Sequence, residues 1–491
     1  MLTLYERGIY PQSNYVFKHA LTREVVYDSI LAKRKKKLHE ETGNAIEELY
    51  RDNLSEQYEV LSEHYFLSEN YLKSAEYSRL AGRKAEKAAS FNDAIVHAKR
   101  RVTSLEGLPR ADEVDKQIID ARTVLGLYIA QMNYLVEARE AIDPVIDLAR
   151  KHNYKKRVCQ IYTIMGPYYC YVEGNYPETF KVLQEALKIS EEVKDILTSV
   201  LASFWLGASL SWNCEFEKSA NYFQSALNIN LAAKNIWAVS SVKSAMAYFS
   251  YYHNGKIDLQ FRTTEEALRI AEESGDIYSK AHAYTSNGIS SYGKGLLEEA
   301  EKHLLKGNAF CEKINLHAWN ALGRSSLGEI YFEMGNFPKS KEHYEKGTWI
   351  LENNRFFPSW TNFGKVGLVR SKVMNREKDV DLESLYAHSR NNKVKAAEDW
   401  IKRYLGEILL NIDDEHISEA EHWIRKAIEA DQRNRMMFHL GKDYALYADL
   451  LKRKGDRLKA QENLGKAIEI FKECGADGWV EKGQKDLALL L

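Results

Sequence analysis

The sequence predicts an all-α chain in which one helix hairpin is repeated along most of 491 residues. Three observations carry this. A turn residue recurs at Gly174, Cys214, Gly255, Gly295, Gly335, Asn375, Glu415 and Gly455, in steps of 40, 41, 40, 40, 40, 40 and 40 residues. A column of small residues keeps the same steps at Ala186, Ala226, Ala267, Gly307, Gly347, Ala387, Ala427 and Ala467, as close helix packing requires. Within one period, Ser325 to Gly347, apolar residues fall at helical spacing on both sides of Gly335, and Pro338 sits where a second helix starts and its missing N–H costs nothing. A fixed period of this size means units that bury their apolar faces on their neighbours.

The pattern resembles the tetratricopeptide family, which places a small residue and an aromatic in its first helix, a turn, then small, aromatic and small residues in its second. Gly328, Tyr331, Gly335, Tyr344 and Gly347 match, as do Gly288, Gly295, Ala300, Leu304 and Gly307. The resemblance covers about Gln131 to Cys474 and implies a right-handed α-α superhelix. Its usual period is about 34 residues; the longer period here predicts longer helices. The turn glycine is lost at Asn375 and Glu415.

The elements follow in order. Residues 1–50 stand apart, with a strand-like Tyr15-Val16-Phe17, a helix from Lys18 to Leu31 with Leu21, Val25 and Ile30 or Leu31 inward, a basic run Lys33 to Lys37, and a helix from Leu38 to Tyr50. A connector, 51–130, holds helices at Leu54–Leu67, Asn70–Ala89 and Phe91–Leu105. Gly107-Leu108-Pro109 is the softest joint, and Asp112 to Arg150 forms a further hairpin. The array spans 131–474. Its least regular unit runs from Phe356 to Lys395 and reads as a bend. A cap, 475–491, ends it, with its leucines on the last pair and Lys482, Lys485 and Asp486 toward water.

Phe17, His19, Leu21, Glu24, Tyr27, the run Lys33 to Lys37, Leu38 and His39 follow in an order that resembles a junction in large bacterial signalling ATPases of the AAA or STAND type. Those proteins join a nucleotide-binding module, a winged-helix element and tetratricopeptide-like repeats, some with a nucleotide cyclase domain and others as transcriptional regulators. The resemblance implies a short winged-helix remnant at 1–50 and a sensory tail behind it. It also implies an ATPase or cyclase module in cis or in trans. The phosphate-cradling G-x-x-x-x-G-K-[ST] does not occur in the chain.

Composition narrows the function. A net charge of −1 gives no global attraction to nucleic acid or to a membrane surface. Five cysteines without metal-ligand spacing suit a reducing compartment, and no run approaches the ~20 apolar residues of a membrane span, so the cytoplasm is the default. The histidines show no recurring pairing, and neither G-x-S-x-G nor H-E-x-x-H occurs, so no catalytic, cofactor or metal site is expected. Lys33 to Lys37 could meet phosphates, but the glutamates that follow suit a solvated helix face, and nucleic acid is not the expected partner.

The residue three before the turn, or two before it at Cys214, is aromatic five times: Tyr171, Trp212, Tyr252, Tyr292 and Phe332. Beside it Val172, Asn213, His253, Gly293 and Glu333 vary. In the resembling family this part of the first helix faces the concave surface. Two readings stand: an aromatic wall that binds a protein or peptide, or helix–helix packing. The candidate contacts are Tyr168, Tyr171, Trp212, Tyr252, His253, Tyr292, Phe332 and Glu333. The expected function is a non-enzymatic interaction scaffold, the sensor or regulatory arm of a signalling ATPase or cyclase. The alternative is a piece of a cyclase or transcriptional regulator whose active module lies elsewhere.

Overall fold

Why each hairpin closes is visible where its two helices cross. Most first helices offer a glycine, and the second helix a bulky side chain. A Cβ at Gly166 would lie 2.5 Å from Leu183 Cγ, one at Gly288 2.6 Å from Leu304 Cγ, and one at Gly328 2.7 Å from the Tyr344 ring. A hydroxyl in the second helix then ties back to that glycine's carbonyl: Ser219 Oγ donates to Gly207 O at 2.7 Å and Ser340 Oγ to Gly328 O at 2.6 Å. The turn between the helices has positive φ at Gly174, Cys214, Gly255, Gly295, Gly335 and Gly455. In the expected Asn375 turn the left-handed residue is Arg376, one position later; at Glu415 there is none, and Asp413 leaves its helix extended. The small column is buried throughout except for Ala387.

The structure is a computed structural model that describes residues 4–7, 14–17, 20–377 and 380–490. Lys18, His19 and Leu491 fall outside it. The chain divides into two compact units, residues 1–87 with 92–125, and residues 88–91 with 126–491.

The first unit opens on an antiparallel ribbon, β1 (Leu4–Arg7) and β2 (Asn14–Phe17), with Leu4 opposite Phe17. Then come α1 (Ala20–Ser29), α2 (Ala32–Leu49), a 3₁₀ segment at Arg51–Glu56, α3 (Tyr58–Leu67), α4 (Tyr71–Lys87), α5 (Phe91–Glu106) and α6 (Asp112–Gln131), which runs on into the second unit. Its core is Leu61, Tyr65 and Tyr77. The inward face expected for the first helix is a correction. Leu21, Val25 and Leu31 are 74%, 67% and 80% exposed, and of the expected face only Ile30 is half-buried. The basic run is helical, and three of its lysines are paired: Lys35 with Asp28, Lys36 with Glu69 and Lys37 with Glu41.

The second unit is the array. It begins with α7 (Leu135–Ile142), α8 (Ile146–Lys151), α9 (Lys155–Tyr168), α10 (Tyr176–Val193), α11 (Ile196–Trp212) and α12 (Phe216–Ala232). It continues with α13 (Ile236–Met246), α14 (Ile257–Ser274), α15 (Ile277–Lys294), α16 (Leu297–Ile314), α17 (His317–Glu333) and α18 (Phe337–Asn353). It ends with α19 (Pro358–Met374), α20 (Leu382–Arg390), α21 (Lys395–Ile412), α22 (Ile417–Asn434), α23 (Met437–Arg453), α24 (Arg457–Cys474) and α25 (Asp477–Ala488). Two first helices close on a π-helical turn, Tyr169–Glu173 behind Pro167, and Ala247–Tyr252. Such turns shift side chains by one position and are frequent at functional sites. At the end, Leu490 is buried as expected. Leu489 is exposed, and Lys482, expected in water, reaches across to Glu333.

Candidate functional site: the inner seam of the array

A solenoid repeat ordinarily touches only its neighbours. This array also meets itself four to five repeats later. Tyr171 stacks on Phe356 with centroids 5.4 Å apart and meets Phe357 edge-on at 5.0 Å. Trp212 packs on Trp360 at 5.3 Å, and His253 on Trp400 at 5.4 Å. Tyr252 packs on His439 at 5.3 Å, and Tyr292 on Trp479 at 5.4 Å. Backbone joins the seam too: Phe357 N–H donates to Tyr171 O at 2.9 Å, and the Trp479 indole donates to Tyr292 O at 2.9 Å.

The aromatic column is therefore a real wall, and the chain's own later repeats cover it. Tyr171, Trp212, Tyr252, Tyr292 and Phe332 are all buried. In the varied column beside it His253 and Gly293 are buried and Val172, Asn213 and Glu333 half-buried. His253 is fully buried among Trp212, Trp400 and His439, while Glu333 meets two lysines. Tyr168 is not brought to the wall; it lies half-buried under the Arg139 guanidinium on α7.

Covering the wall is a second column that the sequence reading missed: Trp360, Trp400, His439 and Trp479, spaced by 40, 39 and 40. Three residues after the last three stand cations, Arg403, Lys442 and Lys482. In a helix, positions i and i+3 share a face, so each helix presents an aromatic ring and a cation together. The 40-residue spacing was the available signal.

The cations enter a buried ion-pair network. Arg370 Nη1 lies 2.7 Å from Glu329 and its Nε 2.6 Å from Glu407, with its guanidinium 3.4 Å from the centre of the Phe332 ring. Lys442 Nζ lies 2.8 Å from Glu333 and 3.5 Å from Glu329, and donates to the Tyr292 hydroxyl. That hydroxyl donates in turn to Glu329 at 3.2 Å. Lys482 Nζ reaches Glu333 at 2.8 Å. Burial alone would push the Glu329 and Glu333 carboxyls up, but the Arg370 and Lys442 cations outweigh it and hold both below the usual carboxylate range.

A second buried group has the opposite balance. Asp399, Asp431 and Asp443 lie together near Arg403, whose Nη1 is 3.2 Å from Asp443. Neither oxygen of Asp431 has a donor. Burial, and after it the neighbouring carboxylates, push Asp431 well above its usual range; Asp399 and Asp443 rise with it, burial first. Burial likewise lowers His253, to about 3, so this imidazole is neutral. His253 and His439 have no protein partner at either ring nitrogen, and the indole N–H groups of Trp360 and Trp400 have none.

Between the two columns remains a small pocket bounded by Tyr248, Tyr292, Glu329, Trp400, Arg403 and Lys442. Among the described residues no group of three or more His, Cys, Asp and Glu side chains could hold a metal ion, and no helix is long and apolar enough to cross a membrane.

The hairpins, with their glycine crossings and small-residue columns, decide the architecture. The repeats are tetratricopeptide-like. No family profile matches the sequence, and no curated protein matches it. Solved structures are similar to the chain at low identity. A Rap protein complexed with competence and sporulation factor is 13% identical, over 85% of this chain and 100% of that one, at a TM-score of 0.43. A Rap conjugation gene regulator in complex with its Phr* peptide is 14% identical, over 73% and 95%, at 0.48. A STAND signal-transduction ATPase with a tetratricopeptide repeat sensor, from Pyrococcus horikoshii, is 16% identical over 80% of this chain at 0.38, and the chain spans 55% of its length.

Proposed function

We propose that the chain is a non-catalytic interaction scaffold whose inner wall binds helical segments of a protein or peptide partner. One observation carries the reading: the wall of Tyr252, Tyr292, Glu329 and Glu333 already holds helices, here α23 and α25 of the same chain, by an aromatic ring and a cation on one face. The buried ionisable groups supply no obvious chemistry to set against it. The carboxylates of the network are neutralised by fixed cations, and His253 and His439 lack the polar neighbour that a general base needs. In its finer form the reading makes the chain a cytoplasmic sensor arm of a signalling ATPase or cyclase, acting in cis or in trans. The junction-like order from Phe17 to His39 and the uncovered apolar side of α1 support that form. The alternative, a transcriptional regulator that uses Lys33 to Lys37 on DNA, is disfavoured by the net charge of −1, which gives no global attraction to nucleic acid.

Selection of displayed peptides on the purified chain tests the scaffold reading. It predicts enriched sequences that bind one to one, and no hydrolysis of ATP or GTP by the chain alone. Nucleotide turnover with no peptide enriched would reject it. For the finer form, the coding DNA upstream of Met1 is predicted to read in frame into a phosphate-loop motif; a close upstream stop codon removes the version in cis.

A further inference from the structure

The two helices that occupy the wall are held very differently. On α23, Phe438, His439, Lys442 and Asp443 are all buried, and Arg403, Glu333 and Glu329 bind its polar groups from neighbouring helices. On α25, Trp479 alone is deeply buried toward the wall, while Gly483 lies against Ile468 of α24. The Trp479 ring also meets Phe438 and Phe471, and Gly478 packs on the Lys294–Gly295 backbone, whereas the ion pairs of α25 each have at least one exposed member. Lys482, paired with Glu333, is 53% exposed, and Asp477, paired with Lys294, is 73% exposed. Exposed ion pairs hold weakly. What α25 gives the wall is compact: an indole on Tyr292, its N–H on the Tyr292 carbonyl, and an ammonium on Glu333 one helical turn later. His439 and Lys442 of α23 repeat that pattern from the other side.

We infer that α25 is an exchangeable occupant of this wall, and that the partner which replaces it is an amphipathic helix carrying an aromatic residue followed three positions later by lysine or arginine. This rests on the scaffold reading and adds to it the place of binding, the chemistry of the partner and a built-in competitor. Leaving at one end of the array takes Trp479 off Phe438 and Lys442 of α23 and Lys482 off Glu333, while the Lys442–Glu333 and Arg370–Glu329 pairs keep both partners. The wall Tyr292 and Glu333 is thereby offered or withheld. A partner must outcompete a segment tethered in the same chain, at an effective concentration in the millimolar range for a short connection. The strap thus sets a threshold on partner affinity.

The test uses the full chain and a fluorescent peptide copying residues 476–488. Binding in trans is read by anisotropy against three chains. Trp479→Ala weakens the occupant in cis and is expected to bind the peptide at least about tenfold more tightly than the unaltered chain. The pair Asp258→Cys and Gly475→Cys locks the start of α25, since a Cβ on Gly475 would lie 2.6 Å from the Asp258 Cγ position. Cys214 shows that the fold accepts cysteine at a comparable positive φ. The oxidised lock is expected to lose binding, and reduction to restore it. A peptide in which the positions of Trp479 and Lys482 are alanine is expected to bind none of the chains. Equal binding to locked and reduced chains, equal binding of the alanine peptide, or no binding to Trp479→Ala would each overturn the inference. Displayed peptides that bind locked and reduced chains alike would leave the scaffold reading standing and this inference rejected.

Discussion

Replacing Lys442 by methionine removes the ammonium that joins α23 to α17 and α15. At 2.8 Å from Glu333, with both side chains about nine-tenths buried, the bare attraction is large, about 6 kcal/mol at an effective dielectric constant near 20. Most of it is offset by the desolvation of both ions. Removing one partner of a buried pair nevertheless costs about 3–5 kcal/mol, because the other charge stays buried. Here Glu333 keeps Lys482 and Glu329 keeps Arg370, so Lys442→Met is expected to cost about 3 kcal/mol, at the low end of that range. Glu333→Gln leaves Lys442 with Glu329 and Tyr292 and is expected to cost about 2 kcal/mol. The two changes remove one shared interaction, so the double variant should cost about 3 kcal/mol rather than the sum. A repeat array does not unfold in one step, so the assay is native-state hydrogen exchange at the amides of α23 and α25, read as local opening free energies. Additivity within about 0.5 kcal/mol would refute the clasp.

Three further outcomes follow from the same contacts. Asp431→Asn replaces a buried carboxyl whose charged form is disfavoured by burial and by the neighbouring carboxylates. Its folded value is raised, so in the unaltered chain a penalty accumulates as pH rises from near 4 and levels off above the folded value. The variant should be more stable by about 2 kcal/mol at pH 8, with the gain vanishing toward pH 4 in thermal melts. Gly328→Ala drives a methyl into the Tyr344 ring, which Gly367 grips from its other side; it should cost about 1–3 kcal/mol in the same melts. Tyr252→Ala with Tyr292→Ala empties the seam and should cost about 3–5 kcal/mol per ring locally, read as lost near-ultraviolet dichroism with the far-ultraviolet helix signal retained.

The hairpins were legible because their determinants are local and periodic. Gly335, Asn336 and Pro338 write a turn, a cap and a helix start within four residues, and the Asn336 side chain does accept from Lys339 N–H. The aromatic column was legible as a wall for the same reason. What covers it was not, because the partner of Tyr171 lies 186 residues on, at Phe357, and that of Tyr292 lies 187 on, at Trp479. No local period encodes how far a superhelix advances per turn. The irregular Phe356-Phe357-Pro358, read as a bend, is an anchor: Phe357, at φ +53, turns its N–H onto Tyr171 O and its ring between Tyr171 and Trp212. The ion-pair network was invisible for a further reason: Glu329, Arg370, Arg403 and Lys442 look like ordinary solvent-face charges until the seam buries them.

The most direct test of the covered wall is a cross-link over the seam. A Cβ on Gly174 would lie 3.4 Å from Lys393 Cβ, close to disulfide spacing, and the side-chain atoms that now fill the site are those of Lys393 itself. The account predicts that Gly174→Cys with Lys393→Cys forms an intramolecular disulfide under mild oxidation, found as one linked peptide by mass spectrometry, with the helical signal unchanged. A folded double variant whose two thiols stay free would contradict it, because residues 219 apart would then not meet and the aromatic wall would stand open.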